Sequence, residues 1–414
     1  MTKLTYLALA GGIALGGAAH ANGFLLNEFD ASAVGRGNAS TATDSDASSI
    51  YYNVGGLAAG TGVQVTVGGS LIAPEASFTD ESTGTKTDST TPAQFVPGVF
   101  GSMRINDLLA VGVGFYTPFG LAITWPDSSP QNDIAKSLAL HTFFITPSAG
   151  VNLGKYVPGL SLGAGLDLVP ATIELKQSIY FGTDTGSADL GGSAFGVGGR
   201  VGAMYRPAAL PQLSVGVMWR SDVKENFSGT GNFDSPPEYR SSLPPDGDIK
   251  TSLTLPQTVS GGVGYRPIDG LEVEADVVWT NWSKFKDLAI TTPTPSGTGT
   301  MTVTQAQDYT NTTSVRVGAE YLAKDIATAF RLGFIYDPTP VPPEHLTAQL
   351  PDINRDDLCA GASKWFGDYG VHVAVLYVLP QDRKTSEAMY TPEYKGTFDV
   401  SAFVATVSLT AKLH

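Results

Sequence analysis

Beyond its first 21 residues the chain has no uninterrupted apolar stretch near the ~18 residues that a membrane-crossing helix needs, which excludes a helical membrane protein. It has a single cysteine, Cys359, so no internal disulfide can form, and this residue is expected to be a small packed side chain. Basic residues are scarce, with 25 Lys and Arg against 39 Asp and Glu and a formal net charge of −14. Nucleic acid is therefore not an expected partner, because phosphate binding is driven by basic surface. The histidines after residue 21, which are His141, His345, His372 and His414, show no metal-type spacing, and no nucleophile elbow is expected. No catalytic residue, metal or cofactor is assigned.

The first 21 residues have the parts of a secretory signal: Lys3, an apolar run from Leu4 to Ala19, and the small-x-small sequence Ala19-His20-Ala21. Cleavage after Ala21 is expected, giving a mature chain of residues 22–414.

What the chain has in quantity is 48 glycines, 26 prolines and 16 tyrosines, a composition that disfavours long helices and suits strands and turns. The expected fold class is all-β. Dyad alternation is the strongest signal. Leu271, Val273, Ala275, Val277 and Trp279 share one face, and Glu272, Glu274 and Asp276 the other. Elsewhere glycine takes the polar side, as in Gly196, Gly198 and Gly202 opposite Phe195, Val197, Val201 and Ala203. Small inner residues leave room for a plug, a ligand or water.

Fourteen such segments can be read, at about 62–74, 93–105, 108–124, 138–153, 159–179, 193–206, 211–228, 249–266, 270–286, 306–322, 326–337, 356–367, 369–381 and 396–413. Long connections rich in Pro, Thr, Ser and Asp alternate with short ones such as Asn106-Asp107 and Gly367-Asp368. A soluble sandwich has no reason to put every long loop on one side, whereas outer-membrane barrels have short periplasmic turns and long external loops. Trp219, Trp279, Trp282 and Trp365, with Tyr205, Tyr265, Tyr321 and Tyr336, fall near segment ends, as girdle residues do. The predicted architecture is a 14-stranded antiparallel transmembrane β-barrel over residues 62–414. Residues 22–61 lack alternation but carry Phe24, Leu25, Leu26, Phe29, Ile50, Tyr51 and Tyr52, which makes this segment a candidate plug of the lumen. Inward Glu272, Glu274, Asp276 and Glu320 are expected to form an ion network with Arg316 and Arg331. His372 could lie near an inward serine and is read as a structural hydrogen-bonding residue.

The stretch Gly23 to Phe29 (GFLLNEF), Gly35-Arg36-Gly37, and Asp44 to Ala47 leading to Tyr52-Asn53 resembles the hatch of the FadL family of outer-membrane long-chain fatty-acid transporters. Further stretches agree: Tyr116 to Trp125 (YTPFGLAITW), Leu255 to Asp269 with Trp279 to Phe285, and Leu350 to Arg355 (LPDINR). The resemblance implies a barrel of a Gram-negative outer membrane, plugged by a hatch and binding a hydrophobic small molecule, either a fatty acid or an aromatic or aliphatic hydrocarbon. It puts the ligand near Asn22, Gly23 and Phe24, and hatch gating at Asn53, Val54 and Gly55. It also implies an inward kink in the third strand, here at Pro118, Phe119 and Gly120, opening the wall toward outer-membrane lipid. Two departures stand out. Asn53-Val54-Gly55 replaces the usual Asn-Pro-Ala, and the chain ends Lys412-Leu413-His414 rather than on an aromatic. A monomer is expected. The rival readings are a porin for polar solutes, which would have an unplugged lumen, and an adhesin working through its loops.

Overall fold

A computed structural model describes residues 22–43, 46–385 and 394–413. The expected signal segment 1–21, the Asp44-Ser45 pair of the hatch motif and His414 lie outside the described residues. The chain forms a closed antiparallel barrel of 14 strands. In order these are Val63–Asp80, Gln94–Arg104, Leu109–Tyr116 with Gly120–Thr124, Ser137–Thr142 with Phe144–Asn152, Leu160–Phe181, Asp184–Tyr205 and Leu213–Arg220 with Val223–Asp234. The eighth to tenth are Gly247–Leu255 with Thr258–Ile268, Leu271–Thr280 with Asp287–Pro293, and Thr300–Ala306 with Thr312–Ala323. Thr328–Asp337, Arg355–Phe366, Tyr369–Lys384 and Gly396–Leu413 complete the set. The first strand pairs with the fourteenth along its whole length, from Val63↔Leu413 to Asp80↔Gly396, so no edge is left open.

Alternation decides which side chains face lipid. Val201, Leu166 and Val277 are each close to half exposed on the outside, while their neighbours Arg200, Asp167 and Asp276 are buried inside. Tyr205, Tyr265, Tyr321, Tyr336 and Trp219 also face outward. Trp282 and Trp365 depart from the girdle expectation. The first is fully buried, and the second packs edge-to-face on the buried His372 ring.

The fifth and sixth strands depart from the expected boundaries as well. They pair without a break from Leu160↔Tyr205 to Phe181↔Asp184, so residues 180–181 and 184–192 are strand rather than loop, joined by the two-residue turn Gly182-Thr183. The stretch Asp184 to Gly192 has few apolar residues. With no apolar face to alternate, its strand character was hidden.

Residues 22–43 and 46–62 fold inside the barrel around two short helices, Ala31–Val34 and Ser49–Tyr52, and the 3-10 turn Val54–Ala59. Lumenal glycines make room for this hatch: a Cβ on Gly163 would stand 2.5 Å from the Val54 carbonyl carbon. Wall carboxylates hold its middle. Asp276 Oδ2 accepts from the amides of Ser40 and Thr41, each at 3.0 Å, Glu274 Oε1 accepts from that of Ala42 at 2.6 Å, and the Thr43 hydroxyl also bonds Glu274. The expected wall network exists only in part. Arg331 pairs with Glu320 at 2.5 Å, but Glu272 turns to Arg266 and Arg316 makes no ion pair among the described residues. Asp276 faces Arg316 across the strands, but its Oδ2 turns to the hatch amides and its Oδ1 has no hydrogen-bond partner among the described residues.

Candidate functional site

Asn22 and Gly23 both adopt left-handed backbone, with φ of 62° and 65°, which turns the start of the hatch back on itself. A Cβ on Gly23 would lie 2.8 Å from the Trp282 ring, so glycine is required there on two counts. Trp282 reaches this position because the ninth strand breaks into a 3-10 turn at Trp282–Lys284. Its Nε1 donates to Asn22 Oδ1 at 2.6 Å, and Thr312 Oγ1 donates to the same oxygen at 2.8 Å. The Gly23 amide donates to Asp352 Oδ2 at 3.2 Å, and Thr339 Oγ1 to that oxygen at 2.6 Å. Burial pushes the Asp352 carboxyl up to about 8, against the opposing pull of those two hydrogen bonds, and its Oδ1 has no hydrogen-bond partner among the described residues. Phe24 sits among Trp282, Phe119 and Phe285, with ring centroids 4.8, 6.0 and 6.1 Å away.

Above Phe24 lies a narrow apolar cavity of about 50 Å3, walled by Leu121, Leu140, Leu253, Tyr309 and Leu350. A second, of about 30 Å3, shares Leu138, Ile173 and Leu288 with it, so the two adjoin across these side chains. This second cavity in turn shares Leu190 and Ile290 with a groove between the external loops, where Tyr180, Met301 and Val303 are exposed. Adjoining apolar spaces therefore line up from the external surface down to Phe24. Among the described residues no Lys or Arg lines either inner cavity; the polar groups there include Gln307, His345 and Gln349.

The floor and the wall are joined at the third strand. Its ladder with the second strand ends at Gly98↔Tyr116, although the second strand continues up to Gln94. Pro118, Phe119 and Gly120 then turn inward, and Gly120 to Ile123 are all buried instead of alternating. One residue is extra relative to the fourth strand, since Tyr116 pairs with Phe144 but Gly120 with His141. The backbone groups freed from the ladder find partners in the hatch. Leu26 N donates to Pro118 O and Gly120 N to Phe24 O, both at 2.9 Å, with Leu25 bridged to Phe119 between them. The structure thus brings Asn22, Gly23 and Phe24 together with Pro118, Phe119 and Gly120.

Asn53, Val54 and Gly55 lie elsewhere. The Asn53 side chain donates to Thr41 O at 2.6 Å and Ala203 O at 3.0 Å, and accepts from Gly55 N at 2.9 Å. Gly55 O accepts from Ser161 Oγ at 2.8 Å. This triplet is clamped to the fifth and sixth strands, away from the kink. The pentapeptide Gly159 to Gly163 does match the letters Gly-x-Ser-x-Gly, but its Ser161 lies within a strand and holds the hatch, not at a strand-to-helix turn. His372 accepts from or donates to Ser363 Oγ at 2.6 Å through Nδ1, while its Nε2 has no partner. Sequence reasoning missed Trp282 and Asp352 as floor residues. The signals were the Asn-Trp pair at the end of an alternating strand and the Leu-Pro-Asp run in a long loop.

Comparison with known proteins gives a consistent result. The profile of the "Outer membrane protein transport protein (OMPP1/FadL/TodX)" family matches residues 12–413. The long-chain fatty acid transport protein of Salmonella typhi is 25% identical over 410 residues, covering 90% of this chain and 91% of that protein. Among solved structures, a Pseudomonas aeruginosa FadL homologue superposes with a TM-score of 0.81 at 20% identity, covering 95% of this chain and 100% of its own. The toluene transporter TodX of Pseudomonas putida gives 0.76 at 17% identity, covering 94% and 99%.

Proposed function

The chain belongs to the outer membrane protein transport family (OMPP1/FadL/TodX), barrels that carry hydrophobic compounds across the Gram-negative outer membrane, and from that premise we propose that its cargo is a long-chain fatty acid released sideways into lipid. The cargo is collected in the groove near Tyr180 and Met301 and descends through the two apolar cavities to Phe24. Displacing Phe24 strains the hydrogen bonds that residues 24 to 26 share with Pro118 and Gly120. Loosening them frees the wall where the second and third strands are already unpaired. A tail leaving for lipid avoids the ~25 cal/mol per Å2 that an apolar surface loses on exposure to water. Neither ATP nor a proton gradient is then required. Cleavage after Ala21 would put an α-amino group on Asn22, one residue from the amide held by Asp352.

The single observation carrying this reading is the sharing of backbone hydrogen bonds between the pocket floor and the wall break. A hydrocarbon is the second reading, favoured by the lack of Lys and Arg around the inner cavities. The lateral route is tested with the double change Pro118→Val, Gly120→Val, which restores strand character. Uptake of labelled oleate in cells with equal surface expression should fall at least roughly tenfold, the effect of about 1.4 kcal/mol on a barrier. Uptake at the unmodified rate through a wall shown to be closed would remove the lateral route and favour a channel through the hatch.

A further inference from the structure

A third cavity, of about 40 Å3, lies between the hatch and the wall, lined by Leu25 of the hatch where the apolar pocket is lined by Phe24. Among its lining are Leu25, Tyr51, Met218, Ser260 and two arginines, Arg220 and Arg316. These two are only 4% and 5% exposed, and the Nε of each has no hydrogen-bond partner. Neither makes an ion pair among the described residues. Other buried wall arginines are matched: Arg200 with Asp167 at 2.7 Å, Arg331 with Glu320 at 2.5 Å, and Arg355 with Asp357 at 2.8 Å.

The carboxylate in register with Arg316 is Asp276, whose Oδ2 accepts from the amides of Ser40 and Thr41 and whose Oδ1 has no hydrogen-bond partner among the described residues; the buried Glu28 also feels the Arg316 charge, but neither carboxylate forms an ion pair with it. Arg316 Nη1 has only a long 3.4 Å bond to Asn38 O. Arg220 lies instead over aromatic faces, 5.1 Å from the Phe119 centroid and 5.9 Å from that of Tyr51. A guanidinium cannot shed its proton, so two buried, unmatched ones facing a cavity favour an anion there.

We propose that Arg220 and Arg316 form a carboxylate-binding site that receives the head group of a long-chain acid after it passes Phe24, while the tail remains in the apolar cavities. This rests on the transport reading above and names its substrate class. A carboxylate presents two oxygens to the planar fork of a guanidinium, which suits Arg better than Lys. The inner cavities hold any hydrophobic chain, since no Lys or Arg lines them; preference for an acid arises below the floor. Arg220 also touches the wall break directly, through its position over Phe119. An acid drawing on that guanidinium thereby reaches the residue at the kink.

The test compares labelled oleate with labelled oleyl alcohol, equal in length but uncharged, in cells expressing the full chain. In Arg220→Met, Arg316→Met the ratio of oleate to alcohol uptake should fall roughly tenfold, the loss expected of a charge-assisted hydrogen bond. Arg220→Lys, Arg316→Lys should recover part of that ratio. An unchanged ratio in the Met variant, whether or not uptake of both compounds falls equally, overturns the site. If the unmodified protein admits neither compound, the transport reading fails on its own. Calorimetric titration of the purified protein with oleate then still decides the site: tenfold weaker binding in the Met variant supports it and equal binding overturns it.

Discussion

The two halves of the hatch are held in opposite ways. Its middle, Ser40 to Thr43, hangs on the carboxylates of Asp276 and Glu274 through short charge-assisted bonds, and Asn53 to Gly55 are clamped to the fifth and sixth strands. Its start, Asn22 to Leu26, has a single, longer carboxylate bond, from the Gly23 amide to Asp352 at 3.2 Å, and is otherwise held by ring contacts around Phe24, a tryptophan bond to Asn22 and two backbone bonds to the kinked third strand. Charged acceptors strengthen a hydrogen bond about twofold over neutral ones. In the proposed mechanism the start is therefore the half that a hydrophobic ligand moves, and the middle is the anchor that keeps the lumen closed meanwhile.

The harshest way to break the contrast is to delete residues 22–61. The barrel should still insert, because girdles and strand pairing lie after residue 61, and it should pass large steady ion currents in a planar bilayer. Currents no larger than those of the full chain would mean that this segment is not the plug. Next comes the anchor alone. In Glu274→Ala, Asp276→Ala the amides of Ser40, Thr41 and Ala42 lose their acceptors, at roughly 1–3 kcal/mol for each buried donor. Frequent channel openings should follow, and silence in the bilayer would show that the middle is held by other contacts.

The smallest expected change is at the start. Phe24→Ala removes a ring between the apolar cavity and Phe119, and should raise ligand-independent leakage of small hydrophobes while leaving the thermal unfolding temperature of the barrel within a few degrees. A large drop in that temperature would make Phe24 part of the anchor and erase the distinction.

Much of this was legible in the sequence because lipid and lumen impose opposite demands on alternate residues. Fourteen strands follow from that period, and Pro118 and Gly120 mark the interruption of the third. The partners of the interrupted strand were not legible, since Leu26 and Pro118 are joined by a hydrogen bond that leaves no mark on either residue type. Trp282 looked like a girdle residue because it follows an alternating strand, yet the 3-10 turn at its position points it inward. Arg316 looked like half of an ion pair, and the hatch amides that engage its facing carboxylate come from far along the chain. The Asn53 to Gly55 triplet was expected to gate the hatch. It lies in its clamped half, beside Ala203 and Ser161 rather than beside the kink.

The link between pocket floor and wall can be measured at two amides. Leu26 N–H donates to Pro118 O and Gly120 N–H to Phe24 O, so both report on the same contact from opposite sides. Hydrogen exchange of the purified protein, with and without saturating oleate, should show both amides exchanging faster together in the bound state, while those of Ser40 and Thr41 stay protected. Equal or slower exchange at Leu26 and Gly120 with ligand bound would contradict the account, because the floor could then fill without loosening the wall.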